Sequence, residues 1–322
     1  MKFSFHQFAF AAVTALFCSG AALASGEGWV TDFEAAKKQA AAEKKDLLID
    51  FTGSDWCGWC IKLDKEVFSE EAFKTGVKDK FVLVSLDFPR KPENVEKLGE
   101  TLKAQNSELQ KKFAIRGFPT IMLCDATGKP FAKTGYQEGG PEKYVAHLDG
   151  LLANKKTRDE ALAAAGKAQG PEKAKQLVAA LKAMDLDDGA VASFYGDIAE
   201  QIKAADPNDE SGFAKAAAAK EKKAAFEKEL TTLLRAKDTA GAIALIDRTI
   251  QTGDLDPETK QQMTMAKTSV YAQAGKFDEA VKVCDEAIAL APDSKSVPRI
   301  QAFKEQLGMA KSKAADAPKE KE

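Results

Sequence analysis

Trp56-Cys57-Gly58-Trp59-Cys60 is the segment of this chain whose residue types and spacing can do chemistry. It follows the apolar run Leu47-Leu48-Ile49-Asp50-Phe51 and opens a stretch that reads as helix. Two cysteines separated by two residues at a strand-to-helix junction read as a redox pair. The thiols then sit one helical turn apart, within reach of a disulfide. The first thiol, at the helix N-terminus, meets the positive end of the dipole and unpaired N–H groups, which favour its thiolate. A thiolate attacks disulfides, and the second thiol can resolve the mixed disulfide that results.

Two other uses of such a pair fit less well. A structural zinc site needs further Cys or His ligands at close spacing, whereas Cys124, Cys284 and His147 are widely scattered. A purely structural disulfide across so short a loop gains little from loop closure. A Ser-His-Asp or Cys-His site would have to use His147, and nothing else in the sequence supports one. No metal and no organic cofactor is implied.

The chain start reads as an export leader over residues 1–24: Lys2, an apolar stretch from Phe8 to Phe17, and the small-x-small site Ala22-Leu23-Ala24. Cys18 leaves with it, since Phe17 stands where a lipid-attachment signal wants a small residue. No other stretch has the apolar length to span a bilayer. The expectation is a periplasmic or secreted protein with no stable membrane insertion once the leader is removed. Of five cysteines, one is Cys18, so four remain in the mature chain. Four allow three pairings; we take Cys57–Cys60, with Cys124 and Cys284 free and buried. Lys and Arg number 47 against 49 Asp and Glu, a net charge of -2. That balance, without a basic stripe, argues against nucleic acid, and the mixed signs read as solvated helix faces.

Several elements must position the cysteine pair. A helix is expected over residues 32–45, with Asp32 as N-cap, and buried strands over Leu47–Phe51 and Phe81–Leu86. Cys60, Leu63 and Val67 mark one helix face, and Ser69 opens another short helix. An amphipathic helix is expected over residues 93–113, with Val95, Leu98, Leu102 and Leu109 inward. Strands at 121–124 and 131–134 form a hairpin around Asp125-Ala126-Thr127-Gly128. A closing helix follows Gly139-Gly140-Pro141 and ends near Ala153. The fold class is α/β, a mixed central sheet flanked by helices.

Over roughly residues 28–153 the chain resembles the thioredoxin superfamily, and more closely its exported members sharing the run DFTGSDWCGWC. Leu48-Ile49-Asp50-Phe51 matches the strand with the buried aspartate, W-C-G-W-C the active-site loop, and Gly117-Phe118-Pro119-Thr120 the cis-proline loop. The resemblance implies Cys57 as nucleophile, Cys60 as resolving thiol and Asp50 as the buried acid that accepts its proton. It implies a cis Pro119 facing the disulfide, preceded by Phe118, whose backbone offers hydrogen bonds to a bound peptide. Trp59 stands where thioredoxin has proline, so the direction of electron flow stays open between reduction, oxidation and isomerisation. One extra residue lies between Asp50 and Trp56, and Ser85 replaces a lysine common in the family. Asp55 either opposes the thiolate or caps the helix. Trp56 and Trp59 read as a partner-contact ledge or as core aromatics; the size of Trp favours the ledge.

After residue 155 alanine, lysine and glutamate dominate with helical periodicity. Tyr271, Gly275, Phe277, Ala280, Ala287 and Pro292 resemble one tetratricopeptide repeat. Leu233, Ala242 and Ile246 fit a second less well, residues 172–185 read as a degenerate third, and residues 206–222 as a break or a long helix. The alternative for this half is a plain helical bundle. The expected organisation is a leader (1–24), a thioredoxin-like domain (25–155), an all-α tetratricopeptide-like region (156–310) and a disordered tail (311–322). The expected function is an exported thiol–disulfide oxidoreductase acting on thiols or disulfides of other exported proteins. It would be recycled by an unidentified redox partner, with the helical region binding partners or self-associating. The alternative is an interaction scaffold whose repeat region is the functional part.

Overall fold

The computed structural model describes residues 28–315 apart from 185 and 253–254; the leader and Cys18 lie outside the described residues. The chain divides into two compact units, Met1–Phe213 and Ala214–Glu322.

The first unit is built on five strands: β1 (Trp29–Val30), β2 (Asp46–Thr52), β3 (Phe81–Asp87), β4 (Thr120–Cys124) and β5 (Pro130–Thr134). Their order is β1-β3-β2-β4-β5, with β1, β3 and β2 parallel and β4 and β5 antiparallel. β2 is central and every residue in it is buried, as a strand covered on both faces requires. Its side chains alternate between faces. Leu47, Ile49 and Phe51 join α1 (Phe33–Glu43) and the end of α4 (Pro92–Lys112) on one face. Leu48 joins α2 (Gly58–Leu63), α3 (Glu71–Val77) and α5 (Gly140–Lys167) on the other. Asp32 caps α1 through its carboxylate and the Ala35 N–H, 2.9 Å. The expected α4 is present but broken at Gly99, whose φ of +73° suits glycine.

Two expectations change here. The closing helix does not end near Ala153: α5 continues to Lys167, straight through the division expected at residue 155. The reason is burial. Ala165, α6 (Gly170–Ala183) and α7 (Asp188–Ala205) deliver Leu177, Met184, Tyr195, Ile198 and Ile202 to the core shared by Leu48 and Phe131. Each such side chain is stabilised by about 1.5–3 kcal/mol when buried, so α6 belongs to this core and not to a repeat array. Arg158 on α5 fastens the extension: it meets Asp125 at 3.2 Å, Asp159 at 2.8 Å and the Tyr195 hydroxyl at 2.9 Å. Tyr195 in turn donates to the Pro130 carbonyl at 2.6 Å. Residues 206–222, expected as a break or a long helix, hold both: a turn in which Asp206 accepts from the Glu210 and Ser211 N–H groups, then a long helix from Phe213.

The second unit is all helical: α8 (Phe213–Arg235, entered from the end of the first), α9 (Thr239–Thr252), α10 (Pro257–Gln273), α11 (Phe277–Leu290) and α12 (Val297–Ala315). α10 and α11 pack across a turn at Gly275, φ +73°. Ala280, Cys284 and Ala287 are fully buried at the contact with Ile300 and Leu307, where small side chains let helices approach. Lys267 links α9 and α11 through Asp247 (2.9 Å) and Glu286 (3.8 Å). α12 runs to Ala315, so residues 311–315, expected in a disordered tail, are helical. The rest of that tail lies outside the described residues.

Candidate active site

Cys57 and Cys60 are joined in a disulfide with Cα atoms 5.2 Å apart. Cys57 is the N-cap of α2, and its Sγ accepts from the Cys60 N–H at 3.2 Å. One of the N-terminal N–H groups that would stabilise a thiolate, that of Cys60, therefore points at the first sulfur. Cys57 is 7% and Cys60 4% exposed. Both cysteines are buried, the first at the helix start.

The loop before the disulfide is held by three successive residues, Ser54, Asp55 and Trp56. Ser54 bonds Asp87 through both its N–H (2.9 Å) and its hydroxyl (2.6 Å). Asp55 accepts from the Arg90 and Lys91 N–H groups and from Asn94, each at 2.9 Å. Trp56 donates its indole N–H to the Phe88 carbonyl at 2.7 Å. All three reach the segment 87–94 that joins β3 to α4. A side chain at Gly53 would place its Cβ 2.5 Å from the Trp56 ring, so only glycine fits there. Asp55 thus organises the entry to α4 instead of capping α2. Burial works against its charge, but the bonds from Arg90, Asn94 and Lys91 outweigh this and hold its carboxyl below the usual range.

The Phe118–Pro119 peptide is cis. Phe118 packs edge-on to Trp56 (5.7 Å between centroids) and against Phe88 (5.1 Å), which brings the cis-proline loop to the disulfide loop. The Arg90 guanidinium lies 3.6 Å from the Trp56 ring centroid. The two tryptophans separate in environment. Trp56 is half-buried, whereas Trp59 is 56% exposed beside Tyr136 at 5.2 Å. Lys62 lies over both rings of that second pair, and Tyr136 donates to Glu66 at 2.6 Å. Tyr136, Lys62 and Arg90 were not identified from the sequence; each lies outside the matched motifs, and no spacing marks them.

Asp50 is 8% exposed, and its Oδ1 has no hydrogen-bond partner. Burial, then Asp87 and Asp64, push its carboxyl well above the usual range, with Thr52 acting weakly in the opposite sense. Asp50 and Cys60 line one cavity of about 370 Å³. Ser85 occupies the neighbouring β3 position in register with Asp50, so the family's common lysine is replaced by a short hydroxyl. Cys124 and Cys284 are free and buried, as expected; burial raises both thiols, which disfavours the thiolate. His147 pairs with the Thr134 hydroxyl at 2.8 Å.

The thioredoxin-like domain family matches residues 33–151. The chain is 32% identical over 117 residues to disulfide bond reductase DsbH of Chlamydia pneumoniae, covering 36% of this chain and 68% of that protein. It is 34% identical over 131 residues to thioredoxin-related protein DsbJ of the same organism, covering 38% of this chain and 36% of that one. A solved DsbH oxidoreductase is 28% identical, with a TM-score of 0.36, over 45% of this chain and 95% of that one. The family match stops inside α5, so α6, α7 and the second unit lie beyond it. The dithiol at a helix start, the cis-proline loop and the buried strand carboxylate lie within it, and the chain belongs to the thioredoxin-like family of thiol–disulfide oxidoreductases.

Proposed function

We propose that the protein is exported and reduces disulfides of other exported proteins. The observation that carries this reading is the Cys57–Cys60 pair at the α2 N-terminus with Asp50 buried in the same cavity as Cys60. The Cys57 thiolate attacks a client disulfide, forming a Cys57–client bond and releasing one client thiolate. Asp50 takes the proton of Cys60, and the Cys60 sulfur displaces the second client thiolate from Cys57, closing Cys57–Cys60. An unidentified redox partner restores the dithiol. The net direction is supported by the relative named a disulfide bond reductase. Trp56, Trp59, Phe118 and Pro119 receive the client, with Tyr136 extending the exposed ledge. Export is supported by the leader pattern over residues 1–24, and no helix among the described residues is long and apolar enough to cross a membrane.

The helical second unit recruits clients or mediates self-association in this reading. It has no exposed thiol among its described residues. In full-length Cys60→Ser protein, resolution fails and mixed disulfides with clients accumulate on Cys57. Clients attached instead through Cys124 or Cys284 would overturn the assignment. A chain ended after Phe213, which keeps the whole first core, captures fewer clients; an unchanged set of trapped partners would remove the recruiting role.

A further inference from the structure

Two cations lie over aromatic rings beside the disulfide, and they differ in what neutralises them. Lys62 lies over Trp59 and Tyr136 with the Glu66 carboxylate 3.9 Å away. Arg90 is exposed and lies over Trp56, the residue before Cys57, with its guanidinium carbon 3.6 Å from the ring centroid. Among the described residues that guanidinium forms no ion pair and no hydrogen bond. Asp55 bonds the same segment, but through the backbone. Its Oδ1 accepts from the Arg90 N–H and its Oδ2 from the Lys91 N–H and the Asn94 side chain, each at 2.9 Å.

A guanidinium carbon so close to a ring centroid lies flat on the ring, because an upright group would drive a nitrogen into it. The stack is held by cation–π attraction. It rests on an indole that is itself half-buried and hydrogen-bonded to Phe88, and the N–H fork is left at the outer edge. That fork matches a carboxylate through two parallel bonds. Because the planar group is already placed, little freedom is left to lose when it binds one.

We propose that Arg90 selects clients in which an acidic side chain flanks the attacked cysteine, taking that carboxylate on the edge of the stacked guanidinium; the inference rests on the reading of the protein as a reductase of client disulfides. Trp56 meets Phe118 edge-on at 5.7 Å, so a client strand received by Phe118 and Pro119 passes beside the ring that carries Arg90. The exchange is the one described above, in which one client thiolate leaves as the Cys57–client bond forms. Arg90 adds affinity and takes no part in the bond changes. The contact is at an exposed rim, so its effect is modest and sensitive to salt.

The test uses reduced full-length protein and two cyclic disulfide peptides, identical except that the residues flanking the cysteines are Glu in one and Gln in the other. Closure of Cys57–Cys60 is followed by tryptophan fluorescence in stopped flow at low ionic strength, with peptide in excess, and second-order rate constants are compared. Wild type reacts about fivefold faster with the Glu peptide, the effect of a well-formed exposed ion pair. The ratio falls toward one in about 1 M salt, where screening acts within about 3 Å. Arg90→Met brings the ratio to about one at low salt, and Arg90→Glu takes it below one. Both variants keep the backbone N–H that holds Asp55. A wild-type ratio near one overturns the selection, and reduction of both peptides leaves the reductase reading standing. If Arg90→Met slows both peptides and keeps their ratio, Arg90 only supports the Trp56 loop and the proposal falls. If reduced wild type closes with neither peptide, the underlying reading fails. Oxidised glutathione is the third probe: an Arg90→Met defect confined to it assigns the guanidinium to small disulfides and overturns the selection of protein clients.

Discussion

At the end of the sheet that carries the disulfide, Asp50 is buried with one carboxylate oxygen unpartnered. At the opposite end Arg158 is buried as deeply, yet it is surrounded by Asp125, Asp159 and the Tyr195 hydroxyl. Both are ionisable groups in the same unit, and their surroundings differ in what they leave unsatisfied. The Arg158 site keeps its ion charged and fixed, and burial pushes the Tyr195 phenol up to about 12, so it stays a donor to the Pro130 carbonyl. The Asp50 site makes the ionised form costly and leaves an oxygen free to exchange a proton. A saturated buried charge joins elements; an unsatisfied one beside a thiol can turn over.

The comparison is broken or sharpened by four measurements. Cys57→Ser abolishes reduction of insulin disulfides while leaving the Arg158 end and the fold intact; surviving activity would place the chemistry elsewhere. Arg158→Met lowers the stability of the first unit by about 3 kcal/mol, since it strands partly buried partners. Urea unfolding reads this loss, and the pH dependence of closure in the folded protein stays as in wild type. A shifted pH profile would show that the two ends are coupled.

Asp50→Asn does the reverse. It slows closure by roughly a hundredfold near neutral pH, because the shape is kept and the basic oxygen lost. It also changes how stability responds to pH. Asp50 has a raised folded pKa, so the folded state holds the proton more tightly than the unfolded one. Its contribution falls as pH rises from about 3.9, the ordinary value, through the raised folded value. Asn removes that decline, and urea midpoints against pH check it; an unchanged slope would mean Asp50 ionises freely in the fold. The smallest effect is at the ledge. Trp59→Ala raises the KM for a protein disulfide by about fivefold, as loss of one exposed aromatic contact does, with kcat held. A fall in kcat alone would make Trp59 part of the dithiol's environment instead of a client contact.

Local patterns in the sequence carried the site because its parts are short and contiguous. Leu47 to Phe51 reads as a buried strand and Cys57 and Cys60 as a pair at a helix start, while the family resemblance implies Phe118-Pro119 as a cis-proline loop. The second unit was legible for the same reason, since Gly275 and the alanines of α11 mark a close helix pair. The extent of the first unit was not legible. α5 to α7 carry ordinary helical periodicity, and nothing local says whether Leu177 and Ile198 face a repeat neighbour or a sheet distant in the chain. Asp55 illustrates the same limit, because a carboxylate before a helix fits a cap until its partners at Arg90, Lys91 and Asn94 are seen.

The sequence by itself determined the chemistry available: a dithiol and a strand carboxylate, each encoded within a few adjacent residues, with the cis-proline loop implied by the family resemblance. Only the tertiary structure decided the environment of those groups. Burial of Asp50, the cavity it shares with Cys60 and Asp64, the ties from Ser54, Asp55 and Trp56 to segment 87–94, and the saturation of Arg158 all join residues distant along the chain. Residue type fixes which proton or electron pair can move, whereas its cost depends on desolvation and neighbouring charge, which exist only once the chain has folded.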